Sequence, residues 1–325
     1  MVAGPVLASG VLMARKIVLA GGAGMVGQNL TPLLLEAGAR VIAVDKNEKN
    51  LRLLARLNPG LEAHTADLAE EGPWTDLLRG AEAVVDLKAQ IASPDYEVFE
   101  RNNVRTQQRL LDACRAHHVP HLVHLSSSVV ISVARDGYSE SKRAAEELVK
   151  ASGVPHTILR PPLMFGCFDV KHLGYITRLL ERTPVLPIPG SGRYLRQPLY
   201  VMDLCRVILR CLERGPTGTT HNLIGHERID FIDLLRMIAT ERGLTRALLP
   251  VPLPLFGAVL SMGAWILRRP PFTKEQLEAL VAGDDFPVDG WAETFGVRYT
   301  PFRDGLREVY ASPRYRYMAE MVSPH

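Results

Sequence analysis

The chain has 325 residues, 47% of them hydrophobic and 22% charged, a composition that excludes a disordered, collagen-like or coiled-coil protein. Thirty-eight Lys plus Arg against 35 Asp plus Glu give a net charge of +3. With no long basic run, nucleic acid is excluded as the main partner.

Residues 1–14 are small, apolar and uncharged, and Arg15 and Lys16 come after them instead of before, the reverse of a secretory signal. The first dozen residues therefore read as an extension with no part in the fold. From Met13 onward, short runs rich in Val, Ile and Leu at 16–20, 41–44, 83–87, 121–125 and 156–159 read as strands. Amphipathic helical patterns at 29–37, 103–116 and 139–151 separate them. That alternation predicts an α/β fold, a doubly wound parallel sheet covered on both faces.

After Arg160-Pro161-Pro162 the rhythm breaks. Prolines at 184, 187, 189 and 198 mark loops, and 230–242, 273–281 and 301–310 read as helices. The expected division is a dinucleotide-binding domain over 13–165, with a return segment near 198–226, and a smaller, mostly helical substrate lobe over 166–325. Residues 247–267 carry no charge, but Pro250, Pro252 and Pro254 deny helix to the first third. A buried or lid helix from Leu255 is expected there, with contact to a membrane surface as the alternative. The four cysteines, at 114, 167, 205 and 211, lack metal-ligand spacing, and reduced thiols in a cytoplasmic protein are expected. No metal site is expected either: His117, His118, His121 and His124 read as a solvated helix end and strand start. His64 and His172 have no evident partner, and the tail 314–317 reads as a solvated end.

Directly after the first strand comes Gly21-Gly22-Ala23-Gly24-Met25-Val26-Gly27. Glycines at 21, 24 and 27 suit a tight strand-to-helix turn whose free N–H groups hold a pyrophosphate, with Met25 and Val26 in the same loop. The second strand ends in Asp45, 18 residues past Gly27, where a carboxylate accepts from ribose hydroxyls and repels a 2′-phosphate. NAD is thus favoured over NADP, a preference softened by Lys46 and Lys49. Asp67, with Leu68 after it, closes the third strand and is a candidate for the adenine edge, with a plain surface acid as the alternative.

Two further segments carry chemistry. Ser126-Ser127-Ser128 ends a strand, and Tyr138-Ser139-Glu140-Ser141-Lys142 opens a helix. Tyr138 and Lys142 stand four apart on one helical face. A phenol with a pKa near ~10 becomes a usable base beside an ammonium. A serine hydroxyl from the strand end can orient a substrate hydroxyl or carbonyl. The chemistry implied is proton removal from a secondary alcohol as hydride passes to nicotinamide.

On these residues the chain resembles the extended short-chain dehydrogenase/reductases, the NAD-dependent epimerase/dehydratase family, over roughly residues 15–225. The resemblance implies NAD as cofactor, Tyr138 and Lys142 as catalytic residues that also contact it, and Ser128 as the catalytic serine, with Ser127 beside the substrate. Asn103-Val104 resembles the family's Asn-Val helix start and implies a cofactor contact at Asn103. Arg160-Pro161-Pro162-Leu163-Met164-Phe165-Gly166 is similar to Arg-Pro-x-x-x-Tyr-Gly. Arg196 to Asp203 is similar to Arg-x-Phe-x-x-Val-x-Asp, whose arginine contacts a substrate diphosphate in nucleotide-sugar members.

The chain also departs from the family pattern. Asp86-Leu87-Lys88-Ala89 replaces His-Leu-Ala-Ala, which puts Lys88 where the cofactor's phosphates or nicotinamide ribose should lie. No Asp-Glu pair comes after Ser128, so dehydration is not expected. The leading expectation is a nucleotide-sugar epimerase acting on a small-molecule substrate through a keto intermediate, with homodimerisation as the family's habit. The alternatives are a dehydrogenase of an apolar alcohol, resembling the 3β-hydroxysteroid dehydrogenase branch, and a non-catalytic protein resembling the accessory subunit of respiratory complex I. The intact Ser128, Tyr138 and Lys142 argue against the last.

Overall fold

Lys16–Ala20 forms the central strand β1 because its alternate side chains serve two different cores. Ile17 and Leu19 join one buried cluster, and Val18 and Ala20 join the other. The same period-two division recurs in β2 (Arg40–Asp45), where Val41 and Ala43 face one way and Ile42 and Val44 the other. The computed structural model describes residues 12–132, 136–258, 277, 280–283 and 285–321.

The main sheet adds β3 (Glu62–Thr65), β4 (Ala83–Asp86), β5 (Leu122–Leu125), β6 (His156–Arg160) and a late strand, Thr220–Asn222. Its seven strands run parallel in the order β3-β2-β1-β4-β5-β6 and then 220–222. The order reverses between β1 and β4, so a crevice opens at the carboxyl ends of those strands. One face is covered by α1 (Met25–Glu36), which packs against Val201–Arg214; the other is covered by α4 (Thr106–Ala116) and α5 (Gly137–Ala151). The doubly wound parallel sheet is therefore present, with helix α4 extended at its start by a widened π-type turn over Glu100–Arg105.

Beyond β6 the chain builds β7 (Met164–Phe165), α6 (Leu173–Arg182), β8 (Val185–Pro189), and a helical part including Phe231–Glu241 and Phe302–Ala311. Buried Asp203 ties these together: it accepts from the Thr300 backbone N–H at 2.7 Å and from the Thr300 hydroxyl at 2.8 Å.

Several expectations change. Leu12 is fully buried and its N–H donates to the Ala37 carbonyl at 3.3 Å, so the fold begins before Met13. His121 and His124 are buried, not solvated, because they point inward from β5 and its approach. The tail is anchored as well: Arg314 donates to the Gln28 carbonyl and to Asn58 Oδ1, each at 2.9 Å. Ala247–Val251 is a strand paired in parallel with β8 despite its proline. The helix expected from Leu255 falls mostly outside the described residues, as does the one at 273–281. Among the described residues no helix is long and apolar enough to cross a membrane.

Candidate active site

The turn after β1 is held against β2. The Gly21 N–H donates to the Val44 carbonyl at 2.8 Å, and Gly21 adopts φ +80°. A Cβ on Gly27 would lie 1.9 Å from the Gly22 carbonyl oxygen, so only glycine lets α1 start this close to the strand. The residue before α1, Gly24, offers no side-chain cap, which leaves the first-turn N–H groups to a ligand.

A cavity of about 230 Å³ lies in front of this turn, lined by Gly21, Gly24, Met25, Val26, Gly27, Asp45, Asp67, Leu68 and Lys88 among others. A larger open groove of about 570 Å³, between Arg228, Asp233 and Arg303, shares no lining residue with it. Asp45 is fixed by backbone donors, Ala23 N–H at 3.0 Å and Asn47 N–H at 2.8 Å, while burial raises its pKa. Asp67 lines the cavity but pairs with Arg101 at 2.9 Å. A glycine cradle, an uncapped helix start and a carboxylate at the next strand end together fit a dinucleotide.

Lys88 is drawn beneath the cavity floor. Its ammonium reaches Asp86 Oδ2 at 3.0 Å and Gln107 Oε1 at 2.6 Å. Asp86 has no exposed surface, and His124 Nδ1 lies 2.7 Å from the same oxygen. Burial pushes the Asp86 carboxyl up, but Lys88 and His124 outweigh it and hold it well below the usual carboxylate range. Burial also brings His124 down to about 4, so its imidazole is neutral and donates from Nδ1. Asn103 is buried and does not line the cavity. It exchanges hydrogen bonds with the Gln90 backbone at 2.8 and 3.0 Å and donates to Ser141 at 2.9 Å, stapling the cavity wall to α5.

Helix α5 begins with a capping box: Asp136 accepts from the Ser139 N–H at 2.7 Å, and the Ser139 hydroxyl answers at the Asp136 N–H at 3.0 Å. That cap places Tyr138 in the first turn, facing the serine run at the end of β5. Ser127, in that run, accepts from the Val129 N–H at 3.4 Å and caps the turn that follows. Ser128, expected from the sequence as the catalytic serine, is buried like Ser127 and opens the next turn, its N–H donating to the Pro161 carbonyl at 2.9 Å. Burial pushes the Tyr138 phenol up to about 12, with Ser127 pulling the other way. Lys142 is buried and donates to the Leu125 carbonyl at 2.7 Å; burial lowers it to about 8, with Asp86 opposing. The sequence pattern implies an ammonium acting directly on the phenol, whereas here Lys142 is bound to the strand end.

Behind these groups, buried Glu146 accepts from Ser126 at 2.7 Å and pairs with Arg160, so β5, β6 and α5 meet on one carboxylate. Arg196 is also buried, but away from the cavity: it donates to the Leu195 carbonyl at 3.0 Å and to the Leu280 carbonyl, and stacks over Tyr194. Lys171 and His172, with no recognised motif around them, line the cavity, as does Met321 from the anchored tail.

The NAD dependent epimerase/dehydratase family model matches residues 17–224, more than half of the chain. Among curated proteins, the chain is 26% identical to 4-hydroxy-2-methyl-3-oxo-4-farnesyl-3,4-dihydroquinoline-1-oxide ketoreductase of Stigmatella aurantiaca, over 78% of this chain and 81% of that one. It is 29% identical to a ceramide reductase of Caulobacter vibrioides over 54% of each chain. It is 28% identical to a dTDP-glucose 4,6-dehydratase of Actinoplanes over 70% of this chain and 82% of that one. Its fold matches the UDP-glucuronic acid 4-epimerase of Bacillus cereus solved with NAD, at TM-score 0.72, 21% identity, and 94% and 99% coverage. With the family's glycine turn, strand-end serines and Tyr-x-x-x-Lys helix all in place, the chain belongs to the NAD-dependent epimerase/dehydratase family.

Proposed function

We propose that the protein moves hydride between NAD and the carbinol carbon of a secondary alcohol, with Tyr138 exchanging the proton and Ser127 orienting the substrate oxygen. The observation that carries this is the placing of Tyr138 in the first turn of α5, which Lys142 binds to the end of β5 at 2.7 Å and Asn103 joins to the wall of the glycine-turn cavity. Bound NAD supplies the hydride acceptor or donor. A phenol held near 12 is protonated at neutral pH, so Tyr138 is set to give its proton to a carbonyl oxygen as that oxygen gains charge. In the reverse direction the ionised form of Tyr138 accepts the alcohol proton, and burial disfavours that form. Lys142 acts as a positioning residue, joining α5 to Leu125.

The substrate class that fits the family as a whole is a nucleotide sugar, epimerised through a keto intermediate. Relatives named as dTDP-glucose dehydratase and UDP-glucose epimerase support it. A second reading, reduction of an apolar ketone, is favoured by two observations. Arg196 would have to leave the Leu195 and Leu280 carbonyls to reach a diphosphate. Val185, Leu249, Leu253 and Leu255 also leave apolar surface exposed on β8, its partner strand and the helical turn that follows. The reductases of a farnesylated quinoline oxide and of ceramide stand on that side.

The test offers the enzyme nucleotide sugars with NAD, and long-chain ketones with NADH. Sugar products are monitored by NMR and ketone reduction by the loss of reduced nicotinamide. Whichever panel turns over, Tyr138→Phe is expected to abolish turnover while leaving NAD binding intact. Retained turnover would sink the proposal.

A further inference from the structure

We propose that Lys171, on the loop between β7 and α6, anchors the pyrophosphate of the dinucleotide together with the glycine turn. The inference rests on NAD being the cofactor, and is independent of Tyr138 as the proton donor.

The loop crosses the start of α1. Asn29 Nδ2 donates to the Cys167 carbonyl at 2.9 Å while also holding the Met25 carbonyl at 2.8 Å. Buried Phe168 then turns the chain at φ +66°. Asp169, also buried, fixes the approach to α6: it accepts from the backbone N–H groups of Lys171 at 3.1 Å, His172 at 2.9 Å and Gly174 at 2.9 Å. The segment that carries Lys171 is therefore set by the fold.

Lys171 lines the same cavity as the glycine turn. Its charged neighbours are Asp169 and Asp45. Both carboxylates are already accepting backbone hydrogen bonds on both oxygens. Among the described residues the ammonium makes no hydrogen bond of its own. A half-buried ammonium in that condition is costly, and burial lowers its pKa to about 8. An anion in the cavity would relieve the cost. The uncapped start of α1 presents positive N–H groups to the same space. A doubly charged pyrophosphate satisfies both sides at once, and neither adenosine nor nicotinamide does.

The experiment is calorimetric titration of the nucleotide-free full chain with NAD, ADP-ribose and adenosine. Lys171→Met is expected to weaken NAD and ADP-ribose by about tenfold to a hundredfold, the range of a hydrogen bond to a charged group. Adenosine binding should not change, and Lys171→Arg should restore most of the loss. Two results overturn the proposal: unchanged affinity for NAD and ADP-ribose, or an equal loss for adenosine that marks a packing role. A wild-type chain that takes up no NAD would remove the cofactor and this inference together. Inactivity with intact NAD affinity would count against the Tyr138 chemistry alone.

Discussion

Lys142 Nζ donates to the Leu125 carbonyl at 2.7 Å, which ties the fourth residue after Tyr138 to the last residue of β5. The bond holds the helix that carries Tyr138 against the strand end that leads into the serine run. From β5 the chain runs Ser126 to Glu146, Ser127 to the cap of the next turn, and Ser128 into that turn. Arg143 then clamps that turn, donating to the carbonyls of Val130 at 2.9 Å and Ser132 at 3.0 Å.

This order predicts that Ser127→Ala lowers kcat by about a hundredfold, the scale of one lost donor to a developing oxyanion. Ser128→Ala should leave kcat close to wild type. Steady-state rates of both variants decide the matter, and the opposite ranking would return the role to Ser128.

The Asp86–Lys88 pair sits below the cofactor floor with its carboxylate fully buried. Lys88→Met leaves Asp86 without its main counter-charge and should lower unfolding stability by about 3–5 kcal/mol. Converting both, Asp86→Asn with Lys88→Met, should recover most of that loss, because no unpaired charge remains. Urea unfolding of the four members of the cycle reads this. Additive losses would mean that Lys88 serves a ligand more than it serves Asp86.

Glu146 gives a pH dependence with a definite sign. Burial opposes its ionisation, yet hydrogen bonds from Arg160, Lys150 and Ser126 bring it from 4.5 to about 2. A carboxyl lowered by folding contributes stability above its unfolded value, and loses it as pH falls toward its folded value. The contribution, about 3 kcal/mol at neutral pH, should fade between pH 4.5 and about 2. Glu146→Gln should remove that part of the acid limb and lower stability at neutral pH. An unchanged acid limb would show that Arg160 does not hold the carboxylate.

Local sequence determined much of this protein. The five apolar runs are strands within a residue or so of their expected bounds, because a strand buried on both faces needs apolar residues in succession. The glycine turn was legible because 21 and 27 answer to backbone crowding close by. Tyr138 and Lys142 were legible through helical spacing. The tertiary structure decided what depends on where separate elements meet. Ser127 caps the turn that follows β5, and Ser128 binds the Pro161 carbonyl across it. Arg196 turns to a carbonyl more than eighty residues away, and Lys88 finds Asp86 and Gln107. Lys171 reaches the cavity only because its loop folds back over α1. Each of these outcomes is a side chain choosing among distant partners, and no local pattern encodes that choice.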